Sequence, residues 1–119
     1  MLTRLLARLR RRRGWQVALQ DGALRLTDPA GHRHDLALAR IAGVRVEAEA
    51  SGPLGADGWW QFLDARGQLA LRCPQGAAGE AQLVDWLLAL PGFDHAGLAA
   101  AMGATRPGVF TVWERGAAG

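Results

Sequence analysis

The residues whose chemistry points outward most plainly are Arg4, Arg8, Arg10, Arg11, Arg12 and Arg13, six guanidinium groups in thirteen positions without an acid among them. They can hold an anionic surface through charge and planar hydrogen-bond geometry. The rest of the chain carries eight Arg against eleven acids, net −3. The basic charge therefore belongs to an arm on a mildly acidic body. Leu2, Leu5, Leu6 and Leu9 alternate with these arginines at i, i+3, i+4, i+7 and would share one face of a helix over residues 2–13. Such a helix could lie on an anionic membrane, meet an acidic protein, or contact nucleic-acid phosphates with a steep salt dependence. The last is disfavoured, because the body is net acidic and has no basic patch interleaved with aromatics. The plainer alternatives are a Leu face packed on the chain's own sheet, or a disordered terminus.

Trp59-Trp60 is the second feature. Neighbours on a strand point to opposite faces, so one indole can enter a core and the other must meet the arm, a second subunit or a partner. Trp is enriched at binding hot spots, which makes either indole a candidate apolar anchor.

His32, His34 and Cys73 are the residues from which an enzyme or metal site could be built. His32 and His34 share a face at period 2, but zinc takes at least three protein ligands, and His95 and Cys73 have no telling spacing. A Cys73 nucleophile would need a base and an orienting group, and nothing local supplies them. A polar strand end and a small buried thiol are the simpler expectations. Gly76-Ala-Ala-Gly-Glu80 leads into a helix, yet lacks the Lys and Ser/Thr of a P-loop, and Glu80 puts negative charge where a phosphate would sit. Asp57 and Asp64 flank the Trp pair without the marks of an acid/base couple. No nucleophile elbow, zincin motif or dinucleotide fingerprint occurs. No cofactor or small-molecule substrate is indicated.

The elements that must position these residues follow from patterning. Gly14 is a stop for the arm. Trp15–Gln20 and Ala23–Asp28 are predicted strands around Asp21-Gly22, a two-residue turn needing positive φ. His34–Leu38 and Arg45–Ala50 are predicted strands, with a sharp corner over residues 39–43. Residues 51–58 are expected to be a mobile loop. Trp59–Asp64 and Gln68–Cys73 form a second hairpin around residues 65–67, and Pro74 ends it. Leu83, Trp86, Leu87 and Leu90 line a buried helix, broken by Pro91-Gly92. Asp94 is an N-cap for a second helix, with Phe93 and Leu98 as its hydrophobic staple. Val109–Arg115 is a last strand, with Phe110 and Val112 facing opposite to Thr111 and Trp113. Residues 116–119 are expected to fray.

This order predicts an α+β fold: a bent antiparallel sheet of about six to seven short strands, a C-terminal helix pair and an N-terminal amphipathic helix. One domain over residues 14–115 suits a chain of 119 residues. One cysteine excludes an internal disulfide and suits a reducing cytoplasm. No apolar run approaches the roughly 18 residues of a membrane span, and alternating Leu and Arg do not read as a secretory signal. Arginine without lysine, with abundant Gly and Ala, fits the codon bias of a GC-rich bacterial genome.

The runs Gly58-Trp-Trp-Gln-Phe-Leu-Asp64, Leu71-Arg-Cys-Pro74, Leu87-Leu-Ala-Leu-Pro-Gly-Phe-Asp94 and Phe110-Thr-Val-Trp113 resemble those of a set of small uncharacterised bacterial proteins. That resemblance covers about residues 15–115 and implies no reaction. The strand meander also resembles a pleckstrin-homology-like domain, a bent seven-stranded sheet closed by a C-terminal helix, which implies a lipid-, peptide- or scaffold-binding module. In this chain six strands precede the long helix, and a second helix and another strand follow it. The first hairpin loop, Gln20-Asp21-Gly22-Ala23, is acidic rather than basic.

Together these readings favour a non-catalytic binding or adaptor domain, cytoplasmic or peripheral to the inner membrane. Its partner would be an acidic protein, an anionic membrane surface, or a second copy of the chain. The contacts would be Arg4, Arg8, Arg10, Arg11, Arg12, Arg13 and Trp59 or Trp60. A small enzyme or metal site using His32, His34 and Cys73, and a homo-oligomer with the arm on its own sheet, are the rival expectations.

Overall fold

A computed structural model describes residues 13–49 and 57–116. The expected helix over residues 2–13, apart from an exposed Arg13, most of the expected loop over 51–58, and the tail beyond Gly116 lie outside the described residues. So do the side chains of Arg4, Arg8, Arg10, Arg11 and Arg12.

The chain is α+β. Seven strands are described: β1 (Gln16–Gln20), β2 (Ala23–Thr27), β3 (Arg33–Ala37), β4 (Gly43–Glu49), β5 (Asp57–Leu63), β6 (Leu69–Pro74) and β7 (Gly108–Glu114). Helices α1 (Glu80–Leu88) and α2 (His95–Met102) stand between β6 and β7. The expected single bent sheet is instead two antiparallel sheets, in the orders β1-β2-β3 and β6-β5-β4-β7. The break comes at the expected corner. A 3-10 turn over Leu38–Arg40 ends β3. Its Leu38 N–H donates to Gly22 O, and Ala42 N–H then donates to Leu63 O, which starts the second sheet. Leu38, the last residue of the expected third strand, belongs to this turn and is half-buried against the core.

Asp21 and Gly22 adopt φ of 54° and 74° and join β1 to β2 in the two-residue turn their types demand. Asp64 builds the β5–β6 turn, its Oδ1 accepting from the N–H groups of Arg66 and Gln68 at 2.8 and 3.0 Å. The strand β5 starts at Asp57, so the last two residues of the expected loop are already paired.

One core joins the sheets and helices. Val17, Leu24 and Leu26 enter it from the first sheet, Val44, Val46, Trp60, Phe62, Cys73 and Val112 from the second. The helices add Leu83, Val84, Leu87, Leu98 and Ala101. Asp94 caps α2 by accepting from Gly97 N at 2.7 Å, and Phe93 and Leu98 are both buried.

Two details depart from simple patterning. In β7 the expected alternation fails at a bulge: Val44 pairs with Trp113 and Arg45 with Thr111, so Val112 is extra and both Val112 and Trp113 are buried. Trp113 Nε1 donates to Pro91 O at 2.8 Å, tying the strand to the corner before α2. At the start of α1, Ala78 bridges Gln16 in parallel, and the Gln82 amide exchanges two hydrogen bonds with the backbone of Leu19. The outer edge of β1 is thereby covered.

Candidate functional site

The antiparallel β4–β5 register sets Glu47 opposite Trp59 and Arg45 opposite Gln61, and the β5–β6 register sets Gln61 opposite Arg72. Alternation puts these residues on the face of the four-stranded sheet away from the core. Glu47, Gln61, Arg72 and Trp59 form a connected set. Glu47 Oε1 accepts from Gln61 Nε2 at 2.9 Å and from Arg72 Nε and Nη2 at 3.1 and 2.9 Å. The Arg72 guanidinium lies 3.9 Å from the centroid of the Trp59 ring, a cation–π geometry. Trp15 meets Trp59 edge to face, with centroids 5.9 Å apart and planes at 89°. Trp15 is half-buried, packing against the core while its ring edge makes this contact.

The Trp pair thus divides as alternation requires, with a consequence for the expected contacts. Trp60 is withdrawn completely into the core, with no exposed surface, and presents nothing to a partner. Its Nε1 donates to Glu80 Oε2 at 2.9 Å. Trp59 is half-buried on the outer face and is the indole that reaches it.

The residues of the rival enzyme reading are not assembled. Cys73 is fully buried among apolar side chains. Burial, with the Glu80 carboxylate nearby, pushes its thiol up to about 12, far from a reactive thiolate. His32 and His34 are exposed and gather instead around Asp28 at the β2–β3 turn, Nδ1 and Nε2 lying 3.3 and 3.9 Å from Asp28 Oδ2. The backbone N–H of His32, donating to Asp28, holds that carboxyl below its usual range. His95 closes the α1–α2 corner, its Nε2 3.2 Å from Leu88 O and its ring edge-on to Phe93. Among the described residues no group of three His, Cys, Asp or Glu side chains is placed to hold a metal ion. In the run Gly76–Glu80 the Glu80 carboxylate itself accepts from the Gly76 N–H at the start of α1.

What the outer face can do chemically is present an aromatic and cationic surface of fixed geometry. Sequence reasoning identified Trp59 but not Glu47, Gln61, Arg72 or Trp15. Their association depends on strand register across residues 47–72, and on Trp15 approaching from the other sheet, neither of which local patterning contains. Among the described residues no helix is long and apolar enough to cross a membrane. Compared with known proteins, the chain matches no protein-family model, no curated protein and no solved structure.

Proposed function

We propose that the chain is a non-catalytic binding domain that attaches to an anionic partner through its basic N-terminal arm. The partner is an acidic protein surface or the anionic face of a membrane. Trp59 supplies an apolar contact beside the charged ones. The observation that carries this reading is how the carboxylates of the body are already used. Asp35 meets Arg25 and Arg33, Glu47 meets Arg72, and Asp28 meets His32 and His34. Asp64 and Asp94 hold backbone N–H groups of a turn and a helix start, and Glu80 is buried on Trp60. Asp21 lies 3.9 Å from Arg25, so among the described side chains Asp85 and Glu114 are the carboxylates outside these contacts, against the six charges of Arg4, Arg8, Arg10, Arg11, Arg12 and Arg13. An external anion answers that charge, at about 1 kcal/mol per Arg near an anionic bilayer.

The test uses the full-length chain and a variant with those six arginines changed to Gln. Both are sedimented with phosphatidylglycerol vesicles and with phosphatidylcholine vesicles, and passed over immobilised poly-glutamate. The reading expects the parent chain on at least one anionic support, absence from the zwitterionic one, and loss of retention in the variant. Retention of the variant equal to that of the parent chain contradicts it.

A further inference from the structure

Three turns distant in sequence meet at one end of the four-stranded sheet: the 3-10 turn after β3, the β5–β6 turn and the end of β7. Between them lies an open cavity of about 570 Å³ lined by Arg40, Arg66, Arg115, Asp64, Gln68 and small alanines. We infer that this cavity is a binding site for a small phosphate ester or pyrophosphate, held by Arg40, Arg66 and Arg115.

The charge is uncompensated. Arg25, Arg33 and Arg72 each meet a carboxylate, whereas among the described residues Arg40, Arg66 and Arg115 pair with none. The acid in the wall, Asp64, has its Oδ1 taken by two backbone N–H groups of its own turn. Three guanidiniums against one carboxylate leave the cavity net cationic, which suits a multiply charged oxyanion. One of the three is held in place before any ligand arrives. Arg115 Nη2 donates to Ile41 O at 2.6 Å, its guanidinium lies 5.3 Å from the Trp113 centroid, and its backbone N–H donates to Ala42 O. A braced cation loses less freedom on binding. Arg40 and Arg66 are exposed and free to close on the ligand.

The walls also restrict the ligand's chemistry. Ala39, Ala42 and Ala65 leave room without adding side-chain donors, and among the described residues no aromatic ring lines the cavity. The site therefore recognises phosphate oxygens rather than a stacked base. Its size falls within the roughly 300–1,000 Å³ of small-ligand clefts. The site uses none of the arm's arginines and stands or falls independently of the arm's role.

The test is isothermal titration calorimetry of pyrophosphate, glycerol 3-phosphate and sulfate, at matched ionic strength, into the full-length chain carrying the six arm arginines as Gln. That background removes the arm's own attraction. The expected result is one-to-one binding of pyrophosphate, tighter than sulfate, weakened about tenfold by Arg66→Gln and again by Arg40→Gln. Among the described residues the side chains of Arg40 and Arg66 make no hydrogen bond, and circular dichroism checks that each variant is folded. Glycerol 3-phosphate separates an ester from pyrophosphate as the preferred form. Equal affinity for sulfate and pyrophosphate, no binding, or no change in either variant overturns the assignment.

Discussion

The indole Nε1 of Trp60 and Oε2 of Glu80 lie 2.9 Å apart in the core, joining the middle of β5 to the first turn of α1. The pair satisfies a donor that burial would otherwise strand. It does so with a carboxylate at a helix start, where the backbone N–H groups favour negative charge. Burial nevertheless dominates: the Glu80 carboxyl is pushed above its usual range, against the lowering influence of the Trp60 and Gly76 hydrogen bonds. A buried acid and a fully buried indole therefore have a structural role, and the outer face is left to Trp59.

That relationship fixes a sign for pH. The folded state holds the Glu80 proton more tightly than the unfolded chain does, so Glu80's contribution to stability is greatest below the ordinary glutamate value. It falls as pH rises from there through the raised folded value. Urea unfolding followed by tryptophan fluorescence from about pH 4 to about pH 8 should show wild type losing stability relative to Glu80→Gln, whose amide oxygen can still accept from Trp60. Glu80→Ala, which strands the indole N–H, should lose about 1–3 kcal/mol. A wild-type minus Glu80→Gln difference that stays constant with pH would count against the burial argument.

Cys73 should be inert while the fold is intact. With its thiol raised to about 12 and no exposed surface, reaction with Ellman's reagent at mildly alkaline pH should be very slow in native protein and prompt in urea. Fast stoichiometric reaction of the native chain would show that the β6–α1 region opens readily.

Gly79 has a backbone that only glycine suits. It adopts φ of 86° at the cap of α1, and an added Cβ would overlap the carbonyl oxygen of Val17. Gly79→Ala should therefore lose at least about 2 kcal/mol, from strain at positive φ and from pushing α1 off β1. Chemical denaturation measures this directly. A loss of only a few tenths would mean that the Ala78–β1 bridge is not as close as described.

The outer-face set should couple weakly but measurably. Arg72 and Glu47 are partly exposed, with side-chain accessibilities of 37% and 25%, so solvent screens the ion pair. A double-mutant cycle with Glu47→Gln and Arg72→Gln should give a coupling of about 0.5–1 kcal/mol, as should the cycle of Arg72→Gln with Trp59→Leu. Coupling within error of zero in both would show that the surface is not pre-formed.

Turns and helix ends were the legible parts of this fold. Asp21-Gly22, Asp94 with Phe93 and Leu98, and the stripe of Leu83 and Leu87 each act within a few residues, so local chemistry determines them. The number of sheets was not legible, because alternation reads the same whether strands share one bent sheet or two. The bulge at Val112 and Trp113 was hidden for a related reason: patterning assumes an unbroken period of two, and a bulge inserts one residue. The cavity of Arg40, Arg66 and Arg115 was least legible, since it is assembled from positions up to 75 residues apart. Trp59-Trp60 was legible as a division between faces, but which indole is buried depends on β5 pairing with β4 and β6.

The central claim is that the arm carries the attachment, and the ionic-strength dependence of binding tests it most directly. Dissociation constants of the full-length chain for the anionic support that retains it are measured across a salt series, beside the variant lacking the six arm guanidiniums. The account predicts that affinity falls steeply with salt for the parent chain, through screening of exposed charges, while the variant binds weakly and nearly independently of salt. Two superimposable salt curves would contradict it and move the binding surface to the folded body.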